Sequence, residues 1–229
     1  MESYIGEALT FGVTRIRFAD TVGIMNPISV NQLFMKLSKS FPAMPFEFRG
    51  HNDLGMAVAN TYMALMSGAQ AASVTVNGLG ERAGNAALEE VVMAMELSGK
   101  KSLGLHKEYF KDLSMFVEKV SCRLFSFSKP ITGKYVLSHE SGIHVQALIK
   151  NMEAYQIISP ESIGASEPYF IIGKHSGRGA LNDFFSKRGV FLSSEESNLL
   201  LKYVKNKATQ LKRALTADEL LFFYKELKL

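Results

Sequence analysis

The chain holds one cysteine, Cys122, among 229 residues, which excludes an internal disulfide framework and fits a reducing compartment. Long hydrophobic runs are missing too. No segment reaches the roughly 20 apolar residues of a membrane span, and the opening MESYIGEALTFG lacks a basic region followed by a long apolar stretch, so neither a membrane partner nor a secretory leader is expected. Excess charge is modest: 26 basic against 22 acidic residues leave a net +4, dispersed along the chain, which gives no footprint for nucleic acid. What is present is 47% hydrophobic and 21% charged residues, enough apolar side chain to build a core in a cytoplasmic globular protein.

Through residues 1–100 strand and helix patterns alternate. Glu2 to Phe11 reads as a short helix closed by Gly12, and RIRFA at Arg15 to Ala19 alternates as a strand entering DTVG. Ser29 is placed to cap a helix whose Leu33, Phe34 and Leu37 share one face, before the breakers Pro42 and Pro45. There follow a strand at Phe46 to Phe48, a helix from Ala57 to Met66 stopped by Gly68, a strand at Ala72 to Val76 and a helix from Ala86 to Leu97 stopped by Gly99. Repeated strand and helix units demand parallel strands. About three of them cannot close a barrel that needs eight, and open parallel edges invite pairing, so another chain is expected to complete the sheet. Over residues 101–229 the pattern turns to helices and loops. It holds an amphipathic Lys107 to Val120, a connection at Ser126 to Lys134 and two tail helices with capping boxes, Ser193 with Glu196 and Thr216 with Glu219. The expected organisation is an α/β domain at 1–100 and a mainly helical subdomain at 101–229.

Polar chemistry concentrates between Phe46 and Glu90. FEFRGHNDLGMAVAN and ASVTVNGLGERAGNAALEE each run from a short apolar strand into His, Asn, Asp, Glu, Arg and Gly and then into a helix. Polar groups placed where strands stop are the layout of sites in α/β barrels and open α/β sheets. By themselves, His51 could cap a strand end, Asn85 could cap the helix beginning at Ala86, and Thr21 could be a turn hydroxyl.

The block resembles the C-terminal part of the catalytic TIM (β/α)8 barrel of the homocitrate synthase and 2-isopropylmalate synthase family, enzymes that condense acetyl-CoA with a 2-oxo acid. ADTVGIMNP at Ala19 to Pro27 is similar to the family's DTVG strand end, HESGIHV at His139 to Val145 to its catalytic histidine segment, and GKHSGR at Gly173 to Arg178 to a further signature. Motifs in this order are far more specific than any one of them. The family's Arg-Asp-Gly segment, which supplies one metal ligand, has no counterpart in this sequence, nor does the large allosteric domain of typical isopropylmalate synthases. The resemblance therefore implies an α/β fold class, the C-terminal part of a TIM barrel followed by a helical subdomain. It also implies a hetero-oligomer in the manner of the omega subunit of a split homocitrate synthase, whose partner chain carries the N-terminal half of the barrel. The mild positive charge suits coenzyme A or a tricarboxylate.

By the same resemblance, His51 and Asn85 take two ligand positions of a divalent metal (Mg, Mn or Zn) that polarises the ketone as a Lewis acid, with a carboxylate ligand from the partner. The family's His-X-His becomes Arg49, Gly50, His51 here, and a guanidinium has no lone pair for a metal. Either water fills the gap, or Arg49 binds the carboxylate of the oxo acid, or the site is impaired. Thr21 matches a residue that hydrogen-bonds that carboxylate, while Glu81 with Arg82 reads as a charged support beneath the ligands. Asp20 reads as an orienting group. His144 is the general-base candidate, because imidazole titrates near neutral pH. Tyr155 would assist proton transfer, Glu140 would position His144, and Glu47 is a weaker acid candidate on the metal strand. His175 receives no catalytic role. Two functions follow: a homocitrate synthase-like acyltransferase subunit acting on 2-oxoglutarate, with citramalate or isopropylmalate chemistry open, and a non-catalytic regulatory or binding remnant of a synthase barrel.

Overall fold

The computed structural model describes residues 1–99, 102–151, 155–165 and 169–227. These form two compact units, Met1–Ser126 with Pro130–Thr132, and Phe127–Lys129 with Gly133–Leu229. The division thus lies beyond residue 100, where the composition pattern places it. The reason is a buried polar knot: the side-chain nitrogen of Asn77 donates to the Ser114 carbonyl at 2.9 Å and Ser114 Oγ donates back to Asn77 Oδ1. Buried polar groups must be paired, and this pairing fastens a helix at Phe110–Ser121 to the first unit.

The first unit runs α1 (Glu2–Thr10), β1 (Ile16–Asp20), α2 (Pro27–Ser40), β2 (Phe46–Gly50), α3 (Ala57–Met66), β3 (Ala71–Ala72), α4 (Leu88–Leu97) and α5 (Phe110–Ser121). Its three strands are parallel in the order β1, β2, β3, the part of a TIM barrel that the strand count implies. Strand period two sends Phe18, Phe46 and Phe48 to one face, where Phe34 of α2 meets Phe18 and Phe48 edge-on with ring centroids 5.9 and 5.7 Å apart. Phe34, Phe46 and Phe48 are fully buried, and truncating such a side chain typically costs about 3–5 kcal/mol. The opposite face carries Arg17 and Ala19 of β1 beside Glu47 and Arg49 of β2, in register. Among the described residues β1 and β3 each pair on one side only, and near the end of β1 Ile24 and Ile28 are 67% and 70% exposed.

Three local expectations are corrected. Asn26, not Ser29, caps α2: its side chain accepts the Ser29 N–H at 3.0 Å, and Ser29 is the reciprocal partner, with Pro27 at the first helical position. The strand foreseen at Ala72 to Val76 is only Ala71–Ala72, because the chain leaves the sheet at Val76–Gly78 in a 3-10 turn. There Asn77 takes a left-handed φ of 60° and gives its N–H to buried Glu89 at 3.1 Å. Finally, α4 starts at Leu88 behind Ala87 without a side-chain cap, which frees Asn85 from a capping role.

In the second unit β4 (Ser138–His139) pairs in parallel with β5 (Tyr169–Phe170). Around them lie α6 (Gly142–Lys150), α7 (Arg178–Ser186), α8 (Ser194–Leu211) and α9 (Ala217–Glu226). Val145, Leu181, Phe185, Leu200 and Leu220 make its core. No helix of the described residues is long and apolar enough to cross a membrane. Both tail capping boxes are formed as the sequence predicts.

The second box makes a pH prediction. Hydrogen bonds from Arg213 at 2.7 and 2.8 Å, and then from the Thr216 N–H at 2.8 Å, hold the Glu219 carboxyl down to about 2 from its ordinary 4.5. A depressed carboxylate stabilises the fold above its unfolded pKa and loses that contribution as pH falls toward the folded one. Acid titration followed by circular dichroism is expected to show a destabilisation between pH 4.5 and about 2 that Glu219→Gln removes. An acid limb identical in the variant would contradict this linkage.

Candidate active site

The segments that follow β1, β2 and β3, with the end of α5, build one cleft of about 630 Å³ in the first unit, lined by Thr21, Arg49, His51, Thr75, Glu81, Asn85 and Arg123 among others. Beneath it, the buried carboxylate of Asp20 accepts the N–H groups of Ile24 and Met25 at 3.1 and 3.0 Å, which shapes the turn after β1. The carbonyl of Asp20 lies 2.8 Å from His51 Nδ1. A carbonyl only accepts, so Nδ1 carries the hydrogen and Nε2 keeps its lone pair, an assignment made from the partner. Asp20 thus meets His51 through its main chain, while its carboxylate serves the turn.

Asn85 is fixed from the other side. Its side-chain nitrogen donates to the Leu79 carbonyl at 3.1 Å, and its oxygen accepts from Arg49 Nε at 3.3 Å. A bridge between the backbones of His51 and Asn85 joins the two loops. Glycine is required here: a Cβ at Gly80 would stand 2.1 Å from Asn85 Nδ2, and one at Gly84, whose φ is 89°, 2.1 Å from the Gly78 carbonyl oxygen. Thr21, Arg49, His51, Asn85 and Glu81 thus line one cleft.

The structure corrects the roles of others. Arg82 pairs with Asp53, not with Glu81: Nε and Nη2 bind the two carboxylate oxygens at 2.7 and 3.0 Å, and Nη2 also reaches the Thr21 carbonyl at 2.7 Å. The support that ties the β1 loop to the Gly80–Gly84 loop is thus Asp53–Arg82, and the hydrogen bond from Arg82 lowers the Asp53 pKa. Asp53 was legible as part of HNDLG, but only the fold shows whom it faces. Glu47 lies on β2 beside Arg49 yet is buried against Arg15 and Arg17, at 3.2 and 2.5 Å, and does not line the cleft, so it is no acid for the site.

A divalent ion fits this donor set poorly. His51 Nε2 and Asn85 Oδ1 are neutral donors, but the second already receives the Arg49 guanidinium. No group of three or more His, Cys, Asp or Glu suited to a metal occurs among the described residues. Unit charges about 4 Å apart repel by roughly 4 kcal/mol near a protein surface, and a doubly charged ion doubles that.

The second unit holds the other motif. His144 lies in the first turn of α6, exposed, with the Tyr155 ring stacked on it at 4.5 Å and 29° and the His139 ring edge-on at 6.5 Å. The contact with Tyr155 is face to face, so the phenol shields one side of the imidazole. Glu140 does not orient His144: its carboxylate accepts the backbone N–H of His175 at 3.0 Å, bracing the GKHSGR segment. His139 is the addition here. Burial, and less strongly the charge of His144, push its pKa below the ordinary 6.5.

Residues 3–117 match the HMGL-like family model, half of the chain. The chain belongs to the HMGL-like family. Residues 131–212 of this HMGL-like protein match a second model, the homocitrate synthase post-HMGL domain-like one, so the two matches bracket the division between the units. The chain is 45% identical over 215 residues to "2-isopropylmalate synthase 2" of Caldanaerobacter subterraneus subsp. tengcongensis, covering 94% of this chain and 56% of that protein. It is 39% identical over 219 residues to "Homocitrate synthase 1" of Nostoc sp., covering 96% and 58%. The HMGL-like chain thus spans about half the length of the curated relatives it matches. A Bacillus subtilis HMG-CoA lyase structure aligns with a TM-score of 0.44 at 29% identity, over 51% of this chain and 41% of that one.

The histidine pair can be read directly. In an NMR titration the His139 ring is expected to protonate below 6.5. His144→Ala should raise that midpoint without restoring the ordinary value, because burial is the larger cause. A midpoint unmoved by the substitution would show that the two rings do not sense each other's charge.

Proposed function

We propose that this protein is a subunit of a homocitrate synthase-like acyltransferase that condenses acetyl-CoA with a 2-oxo acid, with 2-oxoglutarate the acid that suits it best. The observation that carries the reading is the single cleft around Thr21, His51 and Asn85 in a chain that also keeps HESGIHV and Tyr155. The names of its relatives point to the same condensation. Arg49 and Arg123 both line the cleft, and two guanidinium groups suit a dicarboxylate.

In the reaction, the neutral imidazole of His144 takes a proton from the methyl group of the acetyl thioester, shielded on one face by Tyr155. The resulting carbanion adds to the ketone carbon of the oxo acid and forms the new C–C bond. The alkoxide takes up a proton, and water cleaves the thioester to release the hydroxy acid and coenzyme A. Thr21, whose carbonyl is held by Arg82, offers its hydroxyl to the acid at the strand end.

The remaining strands of the barrel belong, in this reading, to a partner chain that pairs with the free edges and covers Ile24 and Ile28. A second reading, a binding remnant without turnover, is favoured by one observation: Arg49 occupies the oxygen of Asn85.

The test is release of coenzyme A by this chain co-expressed with a separately encoded N-terminal half of a synthase barrel. His144→Ala is expected to lower turnover about 10²- to 10⁴-fold while the complex still assembles. Turnover that survives the substitution removes His144 as the base, and a complex that assembles but never turns over acetyl-CoA with any 2-oxo acid leaves the remnant reading.

A further inference from the structure

We infer that the strand-end cleft is a carboxylate site with no divalent ion of its own, in which Arg49 grips the acid directly. Only the identity of the acid rests on the proposed function. Arg49, the penultimate residue of β2, is half-buried, and its Nε is occupied by Asn85 Oδ1 at 3.3 Å. Among the described residues its two terminal nitrogens have no protein partner. A guanidinium presents paired donors whose spacing matches a carboxylate, and Asn85, itself pinned to the Leu79 carbonyl, holds the plane of that fork.

Three further observations converge on the same cleft. The Thr75 hydroxyl oxygen is buried without a hydrogen-bond partner and Thr75 lines the cleft, so a donor awaits an acceptor there. Arg123 also lines it, tethered by Nη1 to the Gly80 carbonyl at 2.8 Å. The nearby acids are committed elsewhere: Asp20 to two backbone N–H groups, Glu47 to Arg15 and Arg17, Asp53 to Arg82. Glu81 is the acid that lines the cleft, exposed at its rim, against two guanidinium groups. Such a balance attracts an anion and repels a cation. A 2-oxo acid, with a carboxylate beside its ketone, would place its charged end on Arg49 and its ketone toward His51 and Thr75.

The experiment is calorimetry on the full chain after EDTA treatment, with 2-oxoglutarate as probe, and Mn²⁺ binding followed by electron paramagnetic resonance. The wild type is expected to bind 2-oxoglutarate without added metal and to leave Mn²⁺ free. Arg49→Gln should weaken the acid by about tenfold or more, the loss of one charge-assisted contact, while Arg49→Lys keeps part of the affinity and so shows that the fold survives. Binding of 2-oxoglutarate only after Mn²⁺ is added, or undiminished binding in Arg49→Gln, would overturn the inference. If Arg49-dependent binding holds for malonate but not for 2-oxo acids, the carboxylate site stands and the proposed substrate falls.

Discussion

The parallel register that sets Ile16 beside Phe46 and Asp20 beside Gly50 decides which groups can meet in this protein. It places every phenylalanine of the two strands on the helix-covered face, where the rings interlock, and so fixes which residues must take the other face. Arg17 then falls beside Glu47, and Ala19 beside Arg49. At the strand ends the same register brings the Asp20 carbonyl to His51 Nδ1, which sets the imidazole's tautomer. A slip of one residue would turn the phenylalanines outward and the arginines into the core. Packing on one side of the sheet thus positions chemistry on the other.

That other face is polar from bottom to top. Glu47 pairs with Arg15 and Arg17 low on the strands, and Arg49 stands one layer higher with its Nε on Asn85. The resemblance read from the sequence leads one to expect a histidine in this layer, where Arg49 stands. Replacing it with a permanent cation changes what the layer can attract, while the glycines, Asn85 and His51 keep the shape of the cleft. The loops are held by Asp53 and Arg82, a pair that reaches across from one strand end to the next. Shape and charge have therefore been set by different residues, and one can change without the other.

Much of this was legible in the chain itself. Helix α3 falls at Ala57–Met66 as its flanking glycine implies, and both tail capping boxes form because they rest on contacts three residues apart. Thr21 and His51 come together because each directly follows a strand, and the backbone bridge to His51 brings in Asn85 from the loop before α4. What the sequence could not reveal depends on partners distant along the chain. Arg82 has Glu81 as its neighbour in sequence but Asp53 as its partner in space. Glu140, four residues before His144, turns to His175 instead. The third strand shortens because buried Glu89 captures Asn77, a contact across 12 residues that no local pattern encodes.

Among the described residues the sheet has three parallel strands with two open edges, and the proposed function rests on further strands closing around the site for turnover. The most direct measurement is the mass of the chain in solution, by light scattering on a sizing column, together with its release of coenzyme A. The chain alone is expected to run above its 25.3 kDa through self-association and to lack turnover, and to form one discrete, active complex with the N-terminal half of a synthase barrel. A monodisperse 25.3 kDa species that is fully active by itself would contradict the account.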